Sequence, residues 1–143
     1  MKVKQISIFL ENKKGHLLQV LETLGKANIN IRALSIADTS EFGILRIIVP
    51  DVEGAKKALK KGGVAFNEND VFAVGVSDKP GGLAEALKVL SDNDINVEYL
   101  YAFVTKSAEK AVVVLKTEDI DKSIKILKKS GISIIPPKEI YSL

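Results

Sequence analysis

"ENKKGHLLQVLETLGKANINIRAL" (residues 11–34) and "SDKPGGLAEALKVLSDNDINVEYL" (residues 77–100) carry one pattern in two versions. Gly15 aligns with Gly81, Leu17 with Leu83, Leu21 with Leu87, Leu24 with Leu90, Ile29 with Ile95, Asn30 with Asn96 and Leu34 with Leu100, all at an offset of 66 residues. After an insertion near "TKSAEK" the match resumes at an offset of 68, where Asp51 meets Asp119, Leu59 meets Leu127 and Gly63 meets Gly131. The chain is an internal duplication, and any fold has to be found once and used twice.

Each version reads strand, helix, strand, strand, helix, strand. In the first, Val3 to Leu10 is strand-like, and Leu17, Leu18, Val20, Leu21 and Leu24 recur at helical spacing. Ile29 to Ala37 and Phe42 to Val49 are β-rich around the turn "DTSE", and a second amphipathic helix begins near Val52 and closes at Gly62 and Gly63. The second version repeats the order from Val71 to Ile135. The order βαββαβ predicts an α+β fold of two ferredoxin-like repeats, each an antiparallel sheet with its helices on one face. The repeats divide as 1–69 and 70–143. The C-terminal residues 138–143, "KEIYSL", resemble "NDVFAV" and are expected to form a strand pairing with the first repeat's sheet.

Composition narrows the function. The 143 residues are 46% hydrophobic and 27% charged, which suits a globular protein. The sequence has no cysteine and no apolar run approaching the ~18 residues of a membrane span. The expected location is cytoplasmic, without membrane association. The net charge of +3 comes mainly from lysines late in helices that open with acids, the arrangement a helix dipole favours. His16 is the only histidine, and neither a nucleophile motif, a phosphate loop nor a metal or cofactor motif accompanies it. No enzyme activity and no cofactor is expected.

The junction between strand and helix draws attention. A helix start leaves amide N–H groups without partners and carries partial positive charge, which suits a carboxylate. At "SDKPGGL" (77–83), Gly81 and Gly82 remove side chains that would block approach and Pro80 stiffens the entry. Asp78 and, in the first version, Asn12 supply oxygens for capping or for a ligand ammonium.

These residues resemble the ACT domain. The family's signature is a strand, then D-x-P-G-x-L opening a helix, then x-x-I-N-I leading to the second strand. "DKPGGL" and "NDINV" follow it closely, whereas "NKKGHL" departs from it, with Lys14 in place of proline and His16 where the second repeat has Gly82. The resemblance is strongest to small proteins made almost wholly of two such repeats. It implies a non-catalytic module that binds an amino acid and regulates amino-acid metabolism, assembled as a homodimer with a metabolic enzyme as partner. It places the ligand between the strand–helix junction of one domain and the second strand of a neighbour. Carried onto this sequence, the ligand-binding residues are Asn12, Gly15, His16 and Leu17, or Asp78, Gly81, Gly82 and Leu83, faced by Asn30 and Ile31 or by Asn96 and Val97. Two other readings compete. One is a protein–protein scaffold without ligand. The other is an RNA-binding sheet using Tyr99, Tyr101 and Phe103, but no accompanying RNA-recognition motif is present, so nucleic acid is the weaker expectation.

Overall fold

Four helices end the same way, and these ends set the frame. At each, a residue in the left-handed region closes the helix: Asn28 (φ 59), Gly63 (φ 71), Asp94 (φ 57) and Gly131 (φ 80). The following apolar residue donates its N–H back to the last turn, Ile29 to Leu24, Val64 to Leu59, Ile95 to Leu90 and Ile132 to Leu127. This is the Schellman closure, in which the same two residues also meet through their side chains. The computed structural model describes residues 1–38, 42–103 and 110–143. Most of the "DTSE" turn, Val104 and most of the "TKSAEK" insertion lie outside the described residues.

The elements are β1 (Val3–Glu11), α1 (His16–Lys26), β2 (Ala33–Asp38), β3 (Phe42–Ile48), α2 (Val52–Lys61), β4 (Phe66–Ser77), α3 (Gly82–Asp92), β5 (Val97–Ala102), β6 (Lys110–Thr117), α4 (Ile120–Lys129), β7 (Ser133–Ile135) and α5 (Pro137–Ser142). They form two compact units, Lys4–Asn69 and Asp70–Leu143, the latter joined by Met1–Val3.

In the unit of residues 4–69, β3 pairs antiparallel with both β2 and β1, with Leu45 opposite both Ile36 and Ile8. On the other side of β1, Phe9 donates its N–H to the Ala65 carbonyl at 3.0 Å. Alternation puts Ile6, Ile8, Leu10, Leu45 and Ile47 on one face. There they pack with Val20 and Leu24 of α1 and with Ala55 and Leu59 of α2. In the unit of residues 70–143, β6 pairs with β5 and β4, and β4 pairs with β7, all antiparallel. Phe72, Val74, Val76, Val113 and Leu115 pack with Ala86, Leu90, Ile124 and Leu127. The antiparallel α+β architecture of two repeats is thus present.

The copies differ inside. Val49 and Ala55 are fully buried in the first unit. Their counterparts Thr117 and Ser123 are buried hydroxyls 2.7 Å apart. Ser123 donates to the Asp119 carbonyl, so Thr117 donates to Ser123. A buried polar pair is tolerable because each hydroxyl finds a partner.

One expectation is overturned. Residues 138–143 are not a strand: Pro137–Ser142 form helix α5, with Ile140 fully buried. Pro137 sits at the first helical position, where its fixed φ favours a helix and its missing N–H costs nothing. The second strands also begin later than expected. Asn28 is left-handed and the Asn30 side chain accepts the Ile31 N–H at 2.9 Å, so the backbone there is spent on closing α1, and β2 starts only at Ala33.

Candidate functional site

The two strand–helix junctions share one backbone shape. In the second, Gly82 donates its N–H to the Lys79 carbonyl at 3.0 Å, with Pro80 and Gly81 between them. Gly81 has φ 84 and ψ −5. This is a type II turn, which favours proline at its second position and requires positive φ at its third. In the first, His16 donates to the Lys13 carbonyl at 3.3 Å and Gly15 has φ 85 and ψ −5. Lys14 replaces proline without changing the turn, because its position asks only for an ordinary negative φ.

The second glycine has a different task from the one its sequence suggests. Gly82 is buried, and a β-carbon there would collide with the Ser77 carbonyl. It lets the helix start press against the strand end and does not clear room for a ligand. In the first repeat His16 solves the same junction differently, its Nδ1 accepting the Glu11 N–H at 2.9 Å.

The amides of His16 and Gly82 serve their own turns. The N-cap residues of α1 and α3 are Gly15 and Gly81, which have no side chain to offer the first-turn amides. α2 and α4 are capped, by Asp51 accepting from Gly54 and Asp119 accepting from Lys122. The contrast singles out the two helix starts that follow the left-handed glycines.

At the first junction this start adjoins a cleft of about 150 Å³, lined by Leu10, Glu11, Asn12, Lys13, Leu17, Ile36, Asp38, Phe42 and Gly43. Its walls are largely apolar, and its charges are Glu11, Lys13 and Asp38. Lys13 lies 3.0 Å from Glu11. The Lys13 ammonium, by hydrogen bond and by charge, holds the Glu11 carboxyl below the usual carboxylate range, with a smaller contribution from His16. The volume is about five waters' share, room for a small zwitterion.

Of the predicted residues, Asn12 and Leu17 line this cleft, while Gly15 and His16 shape the turn beside it. Asn30 and Ile31 lie at the other end of the same sheet, since Glu11 pairs with Phe42 and Asp38 with Gly43 whereas Ala33 pairs with Ile48. The second unit is built alike: Asp78, Gly81, Gly82 and Leu83 sit at the β4–α3 junction, and Asn96 and Val97 sit at the start of β5. There the Asn96 N–H donates to the Glu118 carboxylate at 3.1 Å. Within a unit, the two sets do not meet. Ile36, Asp38 and Phe42 were not anticipated. The signal available for them was a large apolar residue, Phe42, set beside a charged turn, and it remains 59% exposed.

The aromatic triplet is not open for base stacking. Tyr101 and Phe103 are buried, at 7% and 8% exposure, and Tyr99 is half-buried. Among the described residues, no group of three acidic, histidine or cysteine side chains could hold a metal ion, and no helix is long and apolar enough to cross a membrane.

Comparison with known proteins places this geometry. The family model for the ACT domain pair matches residues 1–143. The crystal structure of protein BT0572 from Bacteroides thetaiotaomicron is 42% identical, with 100% of this chain and 98% of that chain covered and a TM-score of 0.93. The ligand-free regulatory subunit of aspartate kinase from Thermus thermophilus is 15% identical over 88% of this chain and 90% of that one, with a TM-score of 0.62. The corresponding subunit from Thermus flavus is 14% identical over 90% and 92%, with a TM-score of 0.57. At such identities the likeness to the two kinase subunits is one of fold. No curated protein matches the sequence. Two repeats, matched glycine turns and a match over the full chain make this protein a member of the ACT domain pair family.

Proposed function

We propose that this protein is a non-catalytic regulatory module that binds a free amino acid and transmits its presence to a metabolic enzyme. The observation that supports this reading is the pair of helix starts, α1 and α3, whose N-cap residues are the left-handed glycines Gly15 and Gly81 and so bring no capping side chain of their own. A ligand carboxylate takes those amides, where the helix dipole favours negative charge. At the first junction the ammonium takes the Asp38 or Asn12 oxygen, and an aliphatic side chain lies against Leu17 and Ile36. At the second, Asp78 and Leu83 take the corresponding roles. The separation of Asn30 and Asn96 from the junctions within each unit agrees with strands supplied by a neighbouring domain, and with a homodimer. The regulatory subunits of aspartate kinase, which share the fold, are the model for coupling to an enzyme.

A thermal-shift screen of the twenty amino acids tests this. A ligand at ten times its Kd adds ~1.4 kcal/mol of stability. A selective rise in Tm with one or a few amino acids, reduced in Asp38→Ala or Gly81→Val, each of which removes one junction's site, and lost when the two are combined, is expected. A flat screen at millimolar concentrations refutes the sensor reading and leaves the ligand-free scaffold.

A further inference from the structure

The helical face of the first unit holds a feature that the amino-acid site does not use. Between the last turns of α1 and α2 lies a groove of about 380 Å³, lined by Thr23, Lys26, Ala27, Ala58, Lys61 and Gly62. This falls within the ~300–1,000 Å³ of ordinary ligand clefts. Its floor is made of small residues. Gly62 is so close to α1 that a β-carbon on it would lie 3.2 Å from the Thr23 methyl group.

The duplicate shows what a filled version looks like. By the offsets of the two repeats, Thr23 corresponds to Val89, Lys26 to Asp92, Ala58 to Ile126 and Lys61 to Lys129. Val89 and Ile126 pack against the second unit's core. In the first unit Ala58 is shorter than Ile126, Thr23 puts a hydroxyl where Val89 has a methyl, and Lys26 reverses the charge of Asp92. Lysines at helix ends are commonplace, because they complement the dipole. The dipole does not explain why Ala58 lies beneath them where the second repeat has the larger Ile126. Charge follows the same asymmetry: residues 4–69 hold ten Lys or Arg against seven Asp or Glu, while the remaining residues hold eleven of each. The chain's entire net +3 therefore sits in the unit with the groove.

We propose that the α1–α2 groove docks an acidic segment of a partner protein, with one aliphatic side chain resting on Ala27 and Ala58 and carboxylates on Lys26 and Lys61. Apolar contact supplies the anchor, and the flanking charges set orientation and association rate. The inference goes beyond the amino-acid site and does not depend on it.

The test uses the isotope-labelled full chain and a blocked synthetic peptide, Glu-Glu-Leu-Glu-Glu, followed by amide chemical shifts. Saturable shifts centred on Thr23, Ala27, Ala58 and Gly62 are expected. Ala58→Ile, which reproduces Ile126, and the surface change Lys26→Asp, which reproduces Asp92, should each weaken binding about tenfold or more. The second variant keeps the test valid should the first disturb packing. The proposal is overturned by the absence of groove shifts at about 5 mM peptide, a concentration that would reveal even a millimolar Kd. It is equally overturned if Lys26→Asp binds as tightly as the wild type, if Glu-Glu-Gly-Glu-Glu binds equally well, or if inorganic phosphate alone reproduces the shifts.

Discussion

Gly15 and Gly81 hold the same left-handed conformation, φ 85 and φ 84 with ψ −5 in each, at equivalent points of the two repeats. Neither has an atom within 4 Å of where a β-carbon would stand. A β-carbon at either place therefore meets no clash and suffers only the backbone penalty, about 1–2 kcal/mol for a left-handed L-residue. Gly81→Val should lower stability by roughly that amount in chemical denaturation, keep a native spectrum and abolish amino-acid binding at the second junction. Calorimetry finding unchanged affinity in the folded variant would remove Gly81 from the site.

Gly82 should behave differently from its neighbour. Its β-carbon would strike the Ser77 carbonyl, a backbone atom that cannot rotate away. Gly82→Ala should cost about 1–3 kcal/mol, the range of overpacking, although Gly82 has an ordinary helical place. Gly81→Asn should cost less, since Asn enters the left-handed region readily. A Gly82→Ala variant as stable as the wild type would mean that α3 can lift off the strand end.

Helix α5 carries a second prediction about stability. Ile140 is fully buried on a helix of six residues. Ile140→Ala should destabilise by about 2–5 kcal/mol, as other large-to-small core changes do. Deleting residues 138–143 should cost at least as much. Equal melting of the truncated and intact chains would show that α5 is an ornament.

The ion pairs give pH effects of known sign. Lys56 donates to Glu68 at 2.6 Å and to Glu53 at 3.2 Å, and these bonds, Glu68 first, raise its pKa. Its contribution to stability is complete below the ordinary lysine value and fades as pH climbs through the raised one. Lys56→Met should therefore lose less stability than the wild type above about pH 10.4. Glu11 is the opposite case: Lys13 lowers its pKa, so its contribution holds above the ordinary carboxyl value and is lost as pH falls through the lowered one. Carboxyl NMR should show the Glu11 midpoint returning towards that of free glutamate in Lys13→Ala; an unmoved midpoint contradicts the pairing.

The sequence discloses the frame more readily than the site. Local rules set Gly63 and Gly131 beyond their helices, Asp51 and Asp119 before them, and the alternation of Ile6, Ile8 and Leu10 along β1, and these rules act over a few residues. "KEIYSL" misleads because six residues fit two periodicities, and Pro137 decides between them only once its place in the turn is known. The cleft is harder still. Ile36, Asp38 and Phe42 reach Asn12 and Leu17 only through the register of three strands, which no local pattern contains. Gly82 is legible as a glycine that matters, yet its reason, the Ser77 carbonyl behind it, is a tertiary contact.

The type II turn has an evolutionary corollary. Its shape resides in one glycine's peptide geometry: the second repeat has Pro80 before that glycine and the first has Lys14, and the bend is the same in both. A duplicated gene with such a hinge can vary the residues around one copy while the bend itself, held by Gly15 or Gly81, stays unchanged.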